Sequence, residues 1–212
     1  MLERYADLVA IGTIGDIMPL EDENRGFVKA GLRLINNNSR LGLAALKRVA
    51  GYGDKYVGSG DVAFSLCPRI NATGRIDNAM KAASLLLCDD RDDARFLAEQ
   101  LDVNNNHRRK LEERIEADVK AQLESRPELF GGRIIVVAGE GYHQGVVGIV
   151  ASGITEQYGK PAIVLDIDEE GNARGSARSI EGFNIYDAIA SCADLLDHFG
   201  GHTKAAGMSL SA

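Results

Sequence analysis

From Asp90 to Ser125 the chain contains neither glycine nor proline and is dense in strong helix formers. Ala94, Leu97, Ala98 and Leu101 make one apolar stripe at helical spacing, and Leu111, Ile115, Val119 and Leu123 make a second in four-residue steps. Asp90 or Asp92 can cap the start, and Pro127 follows the end. Between the stripes lies a polar, basic waist of Asn104, Asn105, Asn106, His107, Arg108, Arg109 and Lys110. Arg108 with Glu112 and Arg109 with Glu113 can pair one turn apart. The pattern predicts a helix of roughly 50 Å, long for one globular domain. Two apolar faces around a wet waist imply one lobe at each end and a cleft beside the middle. A surface helix with a solvated centre, or a break at the asparagines, also fits the spacing.

Upstream, the apolar positions Leu8, Val9, Ile11 and Ile14 predict a helix over residues 3–15, weakened by Gly12 and Gly15 and closed before Pro19. Further helices are predicted at 24–36, 40–50 and 78–88. Downstream the pattern changes to alternating strands and helices. Strands are predicted at 133–139, 161–167 and 172–180, the last two joined by a turn at Glu169–Gly171, with a final strand in AAGMSLS. Helices are predicted at 145–157, before Gly159, and at 186–199, before Gly200 and Gly201. The expected fold is α/β: a helical part over 1–89, a long connecting helix over 90–128, and a small mixed-sheet lobe over 129–212.

Composition changes this picture little. The 212 residues are 45 % hydrophobic and 26 % charged, ordinary values for a globular chain, with no internal repeat. Glu3, Arg4 and Asp7 surround the first apolar run, which is therefore no signal peptide, and no stretch has the length to span a membrane. Cys67, Cys88 and Cys192 are odd in number, far apart and set among apolar residues. They read as reduced core thiols of a cytoplasmic protein. A net charge of −7 excludes a generally basic nucleic-acid coat but leaves room for a local basic groove.

Several short segments could carry chemistry. Asp16 follows an apolar helix, where a cap or turn residue is the common role and a carboxylate metal ligand the sharper one. In LCPRINATGR, Arg69 and Arg75 flank Asn71, Thr73 and Gly74, a donor set for a phosphate or an arginine-fastened loop. GEGYHQGVVG leads a strand through a glycine-bearing turn into a helix start, a geometry that suits an anion. It has neither the dinucleotide spacing nor a P-loop lysine. His143 within it is a ligand, a donor or a structural hydrogen-bonding residue. In GSARS, Ser176 and Arg178 lie two apart, on one face of a strand, with Gly175 allowing close approach. In FGGHTKAAG the paired glycines read as a helix C-cap, which does not require His202 after them.

Taken together, DLVAIGTIGDIMPL with ENR, PRINATGR, LDVNNNHRRKLEERI, GYHQGVVGIVAS, GSARSIEGFNIYDAI and FGGHTKAAGMSL resemble the RecJ single-strand-specific exonucleases of the DHH phosphoesterase superfamily. The resemblance implies the C-terminal part of a DHH catalytic domain over 1–89, the connecting helix, and an incomplete DHH-associated domain over 129–212. It implies that Asp16 is a catalytic metal ligand and that His202 meets the scissile phosphate. Arg69, Asn71, Arg75, His143, Gly200 and Gly201 would face the substrate, and Ser176 and Arg178 would hold phosphate near its 5′ end. Tyr142 stands where the family usually has Trp, and Ala177 where Gly is usual, a change expected to crowd a close approach. The paired-aspartate and DHH motifs should precede residue 1, and an OB-fold should follow Ala212. The implied activity is 5′→3′ hydrolysis of single-stranded DNA in repair and recombination. The implied cofactor is Mn2+, with Mg2+ as the alternative, in a two-ion site completed by residues absent from this chain. Helicase or single-strand-binding-protein partners and a monomeric state go with it. The competing readings are a superfamily nuclease of short oligonucleotides or small phosphoesterase, and an inactive RecJ-like scaffold.

Overall fold

Two units account for the chain, Met1–His107 and Arg108–Ala212, and a computed structural model describes residues 4–211. The expected helix start at Glu3 lies outside the described residues.

The first unit is helical, with α1 (Ala6–Gly15), α2 (Asp22–Asn36), α3 (Leu41–Val49), the short α4 (Ser59–Asp61), α5 (Cys67–Ile76), α6 (Met80–Leu87) and the first part of α7 (Arg91–Ser125). Its core gathers Ala10, Ile14, Ile35, Leu46, Leu85 and Leu101, among others. α1 and α2 cross so closely that a Cβ on Gly31 would sit 2.2 Å from the Ala6 carbonyl oxygen. Among the described residues of this unit two charged groups, Asp7 and Lys47, are buried. Asp7, 2 % exposed, takes Arg40 Nε at 2.6 Å and Nη2 at 3.1 Å, while Arg40 Nη1 bonds the Leu86 carbonyl. Lys47 Nζ donates to the Ile35 carbonyl at the end of α2 and to Asn38 Oδ1, and burial lowers its pKa.

The PRINATGR segment is helix, not loop. A π-helical turn, Val62–Leu66, leads directly into α5, whose first turn contains Pro68. Proline has no N–H and its ring crowds the carbonyl one turn back. The wider turn just ahead of it lets the helix run on without a break.

α7 is continuous through the three asparagines. Asp90 caps it, its Oδ1 accepting the N–H groups of Asp92 and Asp93. Ala94, Ala98 and Leu101 are buried in the first unit; Ile115, Val119 and Leu123 are buried in the second. The waist is less wet than its composition suggests. Asn105 is 3 % exposed, Asn104 donates to Asp77 and Asn106 to Asp102. The Arg108–Glu112 pair forms; an Arg109–Glu113 pair is not present among the described residues.

The second unit holds the rest of α7, α8 (Pro127–Gly131), β1 (Ile135–Glu140), α9 (Gln144–Tyr158), β2 (Ala162–Ile167), β3 (Asn172–Arg178), α10 (Ile185–Ala190), β4 (His198–His202) and β5 (Ala205–Ser211). The sheet order is β1-β2-β3-β5-β4, with β1 parallel to β2 and every other pair antiparallel. α9 packs on β2 and β3. On that side Ile135, Val137, Ala162 and Val164 meet Val146, Val147 and Val150. On the other side Ala177, Ile185, Ile189 and Met208 form a separate cluster.

Two expectations fail here. The helix over 186–199 stops at Ala190, and the chain passes through a 3-10 turn, Ala193–Leu195, into β4. The helix-like spacing of Ile189, Leu196 and Phe199 is real, and all three join one apolar cluster. A turn and a strand deliver Leu196 and Phe199 to it, because ladder bonds with β5 outweigh local helix propensity. Gly200 and Gly201 are therefore strand residues, not a C-cap. Of the cysteines only Cys67 is a core residue; Cys88 is half-buried and Cys192 exposed.

Candidate nucleic-acid interface

The register of the sheet brings the second unit's predicted residues together. Directly paired residues of an antiparallel sheet point to the same side. Val164, Ser176, Gly207 and Gly200 form one row across β2, β3, β5 and β4. Ala162, Arg178, Ala205 and His202 form the next row on the same side. Neighbouring strands lie about 4.8 Å apart, so the backbone at His202 is roughly 10 Å from that at Arg178. α9 covers the β2 and β3 end of these rows, whereas Gly200, His202 and Gly207 are exposed.

The two glycines of FGGH do different work. A Cβ on Gly201 would fall 2.4 Å from the Ala205 carbonyl oxygen and 2.5 Å from Ala206 Cα. Gly201 is thus required by the approach of β5. A Cβ on Gly200 would meet nothing within 4 Å. Packing gives no reason for a glycine there. Gly207 stands beside it, and together they leave a strip of bare backbone between Ser176 and the outer edge, open to a ligand chain.

Arg178 is held where α9 meets the sheet. Its Nη1 donates to the Ala177 carbonyl at 2.8 Å. A Cβ on Gly148 of α9 would lie 2.9 Å from Arg178 Nη2 and 3.4 Å from Ser176 Oγ. Gly175 does not offer its backbone to a phosphate, because a Cβ there would strike the Val164 carbonyl oxygen of β2 at 2.4 Å. Ala177 does not crowd the site either, since its side chain is buried in the cluster on the opposite side.

The turn before α9 is fastened throughout. His143 caps the helix, its Nδ1 accepting the Gly145 N–H at 3.1 Å, and its carbonyl accepts the N–H groups of Val146 and Val147. The first-turn donors at 145, 146 and 147 are used internally, so the expected anion cradle at this helix start is closed. Nδ1 as acceptor puts the proton of the neutral ring on Nε2, which remains a donor. The Tyr142 N–H and the Gln144 side chain both bond the Asp166 carboxylate. Tyr142 O–H donates to Asp118 of α7; burial, together with that bond, pushes the phenol well above its usual range.

The first unit holds the remaining predicted residues. Asp16 is exposed at the C-terminal end of α1, its N–H bonded to the Gly12 carbonyl. α1 ends against the start of α5, where a Cβ on Gly15 would lie 3.1 Å from Cys67 Sγ. Burial pushes the Cys67 thiol up to about 11. Asn71 and Arg75, one turn apart on α5, share an exposed face. Arg69 points elsewhere, donating to Asp102 at 2.8 Å and to the Ser65 carbonyl at 2.8 Å. It fastens α5 to α7, where the expected arginine-fastened loop is instead a helix. Among the described residues no group of three or more His, Cys, Asp or Glu side chains could hold a metal ion. Asp16 alone does not build a two-ion site.

Sequence reasoning missed Gly148 and Gly207. A glycine inside an apolar helix, where Ala would be preferred, and a glycine inside a strand are both signals of close approach.

A model of the DHHA1 domain matches residues 131–212. The single-stranded-DNA-specific exonuclease RecJ of Bacillus subtilis (strain 168) is 44% identical over 99% of this chain, which spans 27% of that protein. The RecJ of Escherichia coli (strain K12) is 38% identical over 99% of the chain and is spanned to 37%. The crystal structure of RecJ in complex with Mg2+ from Thermus thermophilus superposes with a TM-score of 0.84 at 39% identity, over 99% of this chain and 32% of that one. A crystal structure of exonuclease RecJ bound to manganese gives 0.82 at 40% identity, over 99% of this chain and 51% of that one.

Proposed function

The chain belongs to the RecJ family, and from that premise we propose that it is the substrate-holding part of an exonuclease that hydrolyses single-stranded DNA from the 5′ end, in repair and recombination. The observation that carries this reading is the pair of rows Ser176–Gly207–Gly200 and Arg178–Ala205–His202 on one side of the sheet. Arg178 and Ser176 hold the terminal phosphate by charge-assisted and neutral hydrogen bonds. The bare strip at Gly200 and Gly207 lets the sugar–phosphate backbone lie against the sheet. His202, exposed beyond the strip, meets the scissile phosphate and stabilises charge there. Asn71 and Arg75 present a second donor face on α5, with Arg69 holding that helix in place. His143 reaches the substrate only through Nε2.

Asp16 would give one carboxylate to a divalent ion, Mn2+ or Mg2+, and the described residues do not by themselves complete such a site. Bound there, such an ion would supply a water nucleophile of lowered pKa. The residues of this chain bind, orient and neutralise. A helicase or a single-strand-binding protein delivers the strand.

The test is a fluorescence-anisotropy titration of the 212-residue chain with 5′-phosphorylated and 5′-hydroxyl single strands. Arg178→Ala should weaken binding of the phosphorylated strand by roughly 1.5–3 kcal/mol and leave the hydroxyl strand nearly unchanged. Equal loss for both strands would remove the 5′-end assignment.

A further inference from the structure

α9 approaches the proposed phosphate-holding residues at a residue with no side chain. A Cβ on Gly148 would sit 2.9 Å from Arg178 Nη2, 3.4 Å from Ser176 Oγ and 3.5 Å from Ser176 Cβ. Gly148 is buried, yet nothing about α9 itself calls for glycine there, since the helix runs regularly from Gln144 to Tyr158. Alanine is the better helix former at an interior position. What glycine provides is room for the guanidinium. The Arg178 side chain is packed between the α9 backbone and the sheet, with Nη1 turned back to the Ala177 carbonyl.

We propose that Gly148 is a positioning residue that sets where the Arg178 guanidinium stands, and with it the preference for a 5′-phosphorylated end. This rests on the reading of Arg178 as the terminal-phosphate group. The atom a new methyl would meet is the far end of a flexible side chain, not backbone. Gly148→Ala should therefore be absorbed by moving Arg178, and the fold should stand. Stability and recognition then move in opposite directions, which a glycine serving only helix packing would not produce.

The experiment compares the 212-residue chain with Gly148→Ala, Arg178→Ala and the double variant. Each is titrated with 5′-phosphorylated and 5′-hydroxyl single strands, and each is melted. Gly148→Ala should melt at the same or a higher temperature and lose about tenfold of the preference for the phosphorylated strand. In the Arg178→Ala background the same change should cost nothing further, because the group it displaces is gone. Preference lost in Arg178→Ala but kept in Gly148→Ala would overturn the positioning role alone. No preference in the unsubstituted chain, or none lost in Arg178→Ala, would overturn the terminal-phosphate reading and this inference with it. A Gly148→Ala chain that melts much lower would show a packing role instead. Gly148→Ser, a second small replacement, must then keep the preference for that conclusion to stand.

Discussion

At the scale of single residues, the contrast lies between contacts close in sequence and contacts far apart. Ser176 and Arg178 were legible because strand side chains alternate with period two, so two residues apart means one side. Capping of α7 by Asp90 was legible for a similar reason, being local. The ion pair of Arg40 with Asp7 was not, because its partners are 33 residues apart and neither stands in a motif. It is nonetheless the buried pair whose loss should be felt most. Arg40→Ala would leave Asp7, 2 % exposed, as an uncompensated buried charge. Breaking such a pair from one side costs about 3–5 kcal/mol. The expected outcome in urea unfolding is an unfolding free energy lowered by that amount, read as a lower midpoint at unchanged slope, and a loss under about 1 kcal/mol would show the pair to be relaxed by water.

At the scale of elements, apolar periodicity found both halves of α7 and most helices and strands, because burial of one face is what periodicity records. It failed at residues 191–202, where helix-spaced apolar positions are served by a turn and β4. It also read α5 as a donor-bearing segment without seeing that helical twist separates Arg69 from Asn71 and Arg75. Element ends carry the acid sensitivity of the fold. Asp61 is held below its usual pKa by the Gly58 N–H and the Tyr52 hydroxyl, and Asp90 by the N–H groups of Asp93 and Asp92. Asp168, at the β2–β3 turn, is lowered chiefly by bonds from Asn172. A carboxyl whose folded pKa is depressed adds stability that is present above the unfolded value, 3.8, and is lost as pH falls through the folded value. Thermal melts should therefore be nearly flat from neutrality down to about pH 5 and fall below about pH 4. Replacing Asp61, Asp90 and Asp168 together by Asn should flatten that fall, and an unaltered acid limb would place the sensitivity elsewhere.

At the scale of the whole molecule, the expectation is that residues 1–212 bind single strands but do not cut them. Hydrolysis by two ions needs several carboxylate and imidazole ligands converging on metals about 3.5–4 Å apart, and the described residues hold no group of three. Purified chain incubated with Mn2+ and end-labelled single-stranded DNA should release no nucleotides. Release from the 5′ end that survives repurification and disappears in Asp16→Ala would show otherwise. Binding itself should weaken steeply with salt, since phosphate neutralisation releases counterions. β1 and β4 are the two edges of the sheet, and β4 is short, mostly exposed and centred on two glycines, with no lysine or proline in it. An unguarded edge is a template for another strand of any origin, a second copy included. Concentrated stocks are thus prone to self-association through the very backbone that would otherwise lie against DNA, and single strands added before concentration should act as a solubilising agent.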